Sequence, residues 1–311
     1  MPASKHLKLL LAFCLAMLWP SAAAAQMLVG VVMTGNTPYY AEMYRIFVDA
    51  VNQGLPPGEK VEFLLQKPFP DPIALSNAAR KLIAAEVDVI VAYGSPAVLA
   101  VIHEKSSIPL VYGGVYDPTS AHLNGTNITG CGYKVPMASL LRYLRELKEV
   151  GALDVIYCNA EDDSVRQAHE LKAMTEQQGM RLRLLNVQTR NDLGNLGDQL
   201  SGDAVFITAS STLSLWIEDI LPIVKEHALP SVFILPDQTE SGITVTLYQS
   251  ADEQGKKTAE MVARVLRGER PDNIPPELLR NTELVFNLRE AKHMGLRTPL
   301  KLIVEATTII K

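Results

Sequence analysis

From Leu28 the chain alternates two patterns. Short apolar runs at Leu28–Met33, Val61–Leu65, Val87–Tyr93 and Ile108–Tyr112 predict strands, and between them Tyr39–Gln53, Ile73–Ala85 and Ala97–Lys105 predict helices. In the first helix Tyr40, Tyr44, Phe47 and Val51 fall on one face. Strands alternating with helices imply βαβ units and a parallel sheet. Runs that are apolar at nearly every position imply a sheet covered on both faces.

The same order then recurs. Leu153–Cys158, Arg181–Val187, Ala204–Thr208 and Ser231–Leu235 read as strands, and Val165–Gln178, Leu193–Leu200 and Leu213–Ala228 as helices. Leu28 falls on Leu153, Asp88 on Asp203 and Ile108-Pro109 on Leu229-Pro230, at offsets of about 120 residues, too long for a solenoid repeat. The match is closest at one corner. DVIVAYGSPAVLA from Asp88 aligns without a gap on DAVFITASSTLSL from Asp203, which puts Gly94 on Ala209 and Ser95 on Ser210. In each copy a strand stops at small residues and a helix begins. Bare backbone N–H groups at such a corner favour an anion, and a serine there is also a good helix cap.

The expected fold is therefore α/β, with two similar doubly wound parallel-sheet lobes joined by a multi-crossing hinge. Gly113–Gly132, rich in glycine and turn residues, reads as the connector between lobes. The late strands Gly242–Leu247 and Thr282–Asn287, each followed by a helix (Ala251–Arg267 and Leu288–Met294), are expected to add one strand to each lobe. The boundaries that follow are 1–25 for a leader, 26–119 plus 238–272 for lobe one, and 120–237 plus 273–311 for lobe two.

The first 25 residues change the picture of location. Lys5 and Lys8 precede an apolar run from Leu9 to Leu18, then Pro20 and Ala23-Ala24-Ala25 before Gln26, the layout of a cleaved secretory signal. The apolar run is too short to span a membrane, and Cys14 lies inside it, so cleavage near Gln26 and a soluble periplasmic product are expected. Loss of Lys5 and Lys8 takes the net charge from −5 to about −7. With 6% aromatic residues and no basic block, the chain has no nucleic-acid footprint. Cys131 and Cys158 remain, either a disulfide or two buried thiols.

Enzyme signatures are absent: there is no GxSxG elbow, no phosphate-binding P-loop and no GxGxxG after a strand, and Gly130-Cys131-Gly132 is a lone GxG. The histidines after the leader are scattered, with no pair at ligand spacing, so neither a metal nor a cofactor is expected. Polar candidates collect instead at the C-terminal ends of the strands, where open α/β sheets bind ligands. Lobe one offers Thr34, Asn36, Tyr40, Gly94, Ser95, Tyr116 and Asp117. Lobe two offers Asn159, Asp163, Ser164, Ser210, Thr212 and Asp237. Singly these are caps and turn residues. Together they describe two facing rows that close on a small molecule.

Specific stretches narrow the reading. GSPAVLA, SIPLVYGGVYDPTSAHL and GTNITG, and then GKKTAEMVARVLRGERPDNIPPE with TELVFNLREAKHMGLRTP, resemble in order the ABC transporter substrate-binding family that includes tryptophan- and other aromatic amino-acid-binding members. The resemblance covers nearly all of the chain after the leader. It implies a type I periplasmic-binding-protein fold, a small-molecule ligand, no cofactor, a monomer, and delivery to an ABC permease. It also implies that Ser95 holds a ligand carboxylate, and that Asn159 and the Asp163-Ser164 pair, an Asn-Ser pair in the family, face the cleft. One departure stands out. Amino-acid-binding members read Thr-Asp-Asn-Thr where this chain reads Ala209-Ser210-Ser211-Thr212; serine cannot supply the charge that pairs with a ligand ammonium, so the departure argues against an amino-acid ligand unless Asp163, Asp117 or Asp237 takes that role. Two other uses of the fold remain open at this point: a ligand sensor for a membrane kinase or chemoreceptor, and an exported α/β enzyme.

Overall fold

The computed structural model describes residues 27–56, 58–121, 123, 125–235 and 242–311, so the leader and Asp237 lie outside the described residues. Lobe one begins β1 (Met27–Met33), α1 (Pro38–Gly54), β2 (Val61–Gln66), α2 (Pro72–Ala84), β3 (Val89–Tyr93), α3 (Ser95–His103), β4 (Leu110–Tyr116) and β5 (Ile128–Tyr133). Lobe two follows with α4 (Met137–Leu147), β6 (Ala152–Tyr157), α5 (Asp162–Gln177), β7 (Arg181–Asn186), α6 (Leu196–Gln199), β8 (Ala204–Ile207), α7 (Ser211–Leu215), α8 (Ile217–Glu226), β9 (Ser231–Phe233) and β10 (Val245–Gln249). The chain then returns to lobe one for α9 (Ala251–Leu266) and β11 (Glu277–Leu279). It ends in lobe two with β12 (Thr282–Asn287), α10 (Leu288–His293), α11 (Leu300–Glu305) and β13 (Thr308–Ile310).

The sheets run β11-β5-β4-β3-β1-β2 and β13-β12-β10-β9-β8-β6-β7. Every pairing is parallel except β10 with β12. Strands β3 and β8 are buried at every position, as apolar runs covered on both faces require. The repeated aspartates do the same work in each lobe. Asp88 accepts the N–H of Leu28 at 2.7 Å, and Asp203 accepts those of Gly151 and Ala152 at 2.9 Å, so each ties the start of one strand to the start of its neighbour.

The sheets correct the expected boundaries. β5 was placed in lobe two, but it pairs with β4 (Leu110 with Ile128) and extends the sheet of lobe one. β10 was placed in lobe one, but it pairs with β9 (Val245 with Val232) and extends the sheet of lobe two. The chain therefore crosses between Tyr133 and Met137, between Gln249 and Ala251, and between Leu279 and Thr282. The expected helix Leu213–Ala228 breaks at Trp216. Helix α4, with Leu140, Leu141, Leu144 and Leu147 buried, is an element the sequence pattern above does not predict.

Glycines in the supposed connector answer to packing. β4 shifts register between Tyr112 and Val115, and Gly114 there has φ 64°. A Cβ on Gly130 would overlap the carbonyl and ring of Tyr112, and one on Gly132 would overlap the Val115 carbonyl. The lone GxG is thus a steric requirement of β5. Gly130→Ala should lower stability by about 1–3 kcal/mol, the usual range for overpacking. A urea midpoint equal to wild type would contradict this account of the strand pair.

Candidate functional site

Lobe one builds its side of the cleft at the end of β3. The chain turns at Gly94, whose φ of 82° favours glycine and whose missing side chain leaves room for the Tyr40 hydroxyl. Thr34, at the end of β1, braces the corner: its hydroxyl donates to the Tyr93 carbonyl at 2.8 Å and accepts the Ala97 N–H at 3.0 Å. Helix α3 has no side-chain cap, because Gly94 stands at the capping position and Ser95 one residue inside. The capping reading of Ser95 is therefore corrected. Its hydroxyl instead lies 2.7 Å from both carboxylate oxygens of Asp163, at the start of α5 in lobe two.

Asp163 is 7% exposed and takes most of its partners from the opposite lobe. The Tyr116 N–H donates to it at 3.4 Å. Arg166, one turn along α5, donates both to Asp163 and, at 3.2 Å, to the Tyr116 carbonyl. Burial outweighs the guanidinium and the hydrogen bonds, and pushes the Asp163 carboxyl up to about 6. Further along, the Tyr116 hydroxyl donates to Glu170 at 3.2 Å, and Lys134 lies 2.7 Å from Asp117 and 3.9 Å from Glu170.

The matching corner of lobe two is built differently. Ser210 does cap α7, accepting the Leu213 N–H at 3.1 Å. Its hydroxyl donates to Glu161 at 2.7 Å, and the same carboxylate accepts the N–H groups of Ser211 and Thr212, each at 2.8 Å. Glu161 is 3% exposed. Read from sequence as a place for an anion, this corner already holds one of the protein's own.

Tyrosines pack in lobe one behind its Gly94 corner. Tyr40 stacks on Tyr93 with centroids 6.2 Å apart, Tyr39 lies 6.4 Å from Tyr133, and Tyr133 lies 5.7 Å from Tyr116. Tyr40 faces Ser211 of lobe two, and burial, then the charges of Asp163 and Glu161, push its phenol well above the usual range. At the rim Phe69 of lobe one meets Trp216 of lobe two at 6.4 Å. The lobes are closed on each other.

The structure brings Tyr40, Gly94, Ser95, Tyr116 and Asp163 together across the cleft, with Ser210 and Thr212 gathered round Glu161. It turns other candidates elsewhere. Asn36 and Asn159 are exposed, the latter tied through its N–H to Asn186. Ser164 is buried in lobe two, where it accepts the Cys158 N–H and pairs with Thr208. Thr34 is committed to its brace, and Asp117 to Lys134 and Ser120. Sequence reasoning missed Glu161, Arg166, Glu170 and Lys134. The run Glu161-Asp162-Asp163 marks a helix start without saying which acid turns inward. Cys131 and Cys158 are free buried thiols in different lobes, the former pushed up to about 12 by burial. Among the described residues no group of acidic, histidine or cysteine side chains is placed to hold a metal, and no helix is long and apolar enough to cross a membrane.

Two α/β lobes joined by three crossings have the type I periplasmic-binding-protein fold. A family model described as ABC transporter substrate binding protein matches residues 37–310, and the chain belongs to that family. Among curated relatives it is 21% identical over 272 residues to a tyrosine-binding protein of Clostridioides difficile (strain R20291), covering 83% of this chain and 78% of that one. Its fold is that of an ABC domain from Streptococcus pneumonia in complex with L-Trp, with TM-score 0.83, 20% identity, and 92% and 100% of the two chains covered. It is also that of a ligand-free, open substrate binding protein with adhesive properties from Clostridium difficile, with TM-score 0.67, 22% identity, and 92% and 99% covered.

Removing the Glu161 carboxylate should be felt as stability. Glu161→Ala leaves the Ser210 hydroxyl and two buried N–H groups without their acceptor, at about 2 kcal/mol or more. An unchanged urea midpoint in equilibrium unfolding would contradict the structural role given to this residue.

Proposed function

We propose that this protein is an exported solute-binding protein that captures a small polar or amphipathic molecule, an amino acid or related carboxylate, between its lobes and delivers it to an ABC permease, without turnover. The observation that carries this reading is the meeting of Ser95 and Asp163 across the cleft, each nearly buried, one a donor on lobe one and the other an acid on lobe two. An α-amino acid carries the complement of both. Its carboxylate replaces Asp163 at the Ser95 hydroxyl and the Tyr116 N–H, and its ammonium takes the place of those donors beside Asp163. Of the three acids able to supply the charge that Ser210 lacks, Asp117 is occupied by Lys134, whereas Asp163 reaches donors of the opposite lobe. Tyr40, Tyr116 and Tyr133, which stand near Asp163, supply apolar, π-rich surface for a side chain. The relative named for tyrosine and the solved complex with L-Trp make aromatic amino acids the first ligands to test. Export rests on the leader pattern of the first 25 residues, and delivery to a permease rests on the family.

Calorimetry and thermal unfolding with L-tyrosine, L-tryptophan, other amino acids and small carboxylates test this reading. A true ligand at a hundred times its Kd raises stability by about 2.7 kcal/mol. Ser95→Ala should then weaken binding of that ligand by roughly 10- to 150-fold, the value of a hydrogen bond to a charged group. Absence of any stabilising compound in the panel, or a full-affinity Ser95→Ala variant, would overturn the assignment.

A further inference from the structure

The charges gathered where the lobes meet do not balance. Glu161 and Asp163 are both nearly buried, and among the described residues the one base paired with either is Arg166, which holds Asp163. The partners of Glu161 are all neutral, the Ser210 hydroxyl and the N–H groups of Ser211 and Thr212, so it is hydrogen-bonded but not neutralised. Further along, Lys134 alone serves both Asp117 and Glu170. Four acids thus stand against two bases. We propose that this surplus of negative charge selects the ligand: the cleft requires a cationic group such as an ammonium, can dispense with a ligand carboxylate, and rejects acids that carry no cation. This narrows the binding role proposed above and rests on it.

The two ends of an amino acid meet unequal partners here. Its ammonium would sit beside Asp163 and in the field of Glu161, two full charges held out of water, where attraction between opposite charges is strongest. Its carboxylate would meet the Ser95 hydroxyl and the Tyr116 N–H, which are neutral donors. Arg166 keeps a free donor at Nε, but its charge is already matched by Asp163. An acid without an ammonium would therefore bring a third negative charge to two that lack a counter-ion between them, and repulsion of that kind is how a site excludes a near relative of its ligand.

The surrounding groups feel the same field. Burial, then Asp163 and Glu161, raise the Tyr40 phenol, and burial, then Glu170, raise that of Tyr116. Asp163 itself is pushed up to about 6 by burial, with Glu161 adding to the rise, in spite of Arg166 and its hydrogen bonds. The protein's own donors do not offset the burial of this carboxylate. A cation placed beside it would favour the ionised form.

Calorimetric titration of the protein with two matched series tests the proposal. L-tyrosine, tyramine and 3-(4-hydroxyphenyl)propanoate share a side chain and carry, in turn, both charged groups, the ammonium alone and the carboxylate alone. L-tryptophan, tryptamine and indole-3-propanoate repeat the comparison. In at least one series the amine should bind, and the acid should bind at least about tenfold more weakly than the amine, the low end for a hydrogen bond to a charged group. Asp163→Asn and Glu161→Gln each remove one negative charge and keep the side chain's shape. Each should narrow the amine's lead over the acid, whereas a loss of structure alone weakens both alike. Far-ultraviolet circular dichroism confirms folding, and each variant stands in for the other should one fail to fold. An acid that binds as well as its amine, an amine that fails where its amino acid binds, or an unchanged amine-to-acid ratio in the folded variants would overturn the proposal and leave the solute-binding role standing. No binding by any of the six compounds would overturn it together with the ligand class on which it rests.

Discussion

Taking a carboxylate out of water costs several kcal/mol unless donors meet it where it lands, and the cleft of this protein is organised by two answers to that constraint. Glu161 finds its donors within its own lobe, in the Ser210 hydroxyl and the N–H groups of Ser211 and Thr212. It is satisfied whether the lobes are together or apart, and it fixes the corner it caps. Asp163, two residues further on, finds donors in the other lobe. Those donors are within reach only when the lobes meet, and even then burial outweighs them. One acid makes a lobe rigid and the other spans the two lobes.

The remainder of the fold supports that division. Asp88 and Asp203 tie adjacent strands at the far end of each sheet, and Thr34 and Thr208 link neighbouring strands at the cleft end. Each lobe is thereby braced at both ends of its central strands. Three short crossings join the lobes at one side. Bodies braced in this way and connected at one edge move by rotation about that edge, which is the geometry of hinge closure.

Much of the architecture could be read from the chain because it depends on local pattern. Apolar runs such as Val87–Tyr93 declare a covered strand, and the repeat of Asp88 at Asp203 declares a second lobe. What escaped depends on pairing at a distance. Whether Ile128–Tyr133 closes one sheet or opens another is decided by its register against β4, and nothing within its own residues records that. The same holds for β10, which follows β9 in space across residues that carry no strand pattern. In the site, the pair that matters was present among the candidates, but its relation was not. Ser95 looked like a cap, and only the placement of Gly94 at the capping position frees its hydroxyl to reach another lobe. Glu161 was hidden by its neighbours, since a run of acids at a helix start gives the same dipole signal whichever of them turns inward.

The central claim is that the Ser95–Asp163 contact marks the place a ligand enters. A crystal structure of the protein grown with saturating L-tyrosine tests it most directly. The account predicts density for the amino acid between the lobes, its carboxylate on the Ser95 hydroxyl and its ammonium beside Asp163, with the direct contact between those two residues gone. Density for the ligand elsewhere, with Asp163 still held by Ser95, would contradict it.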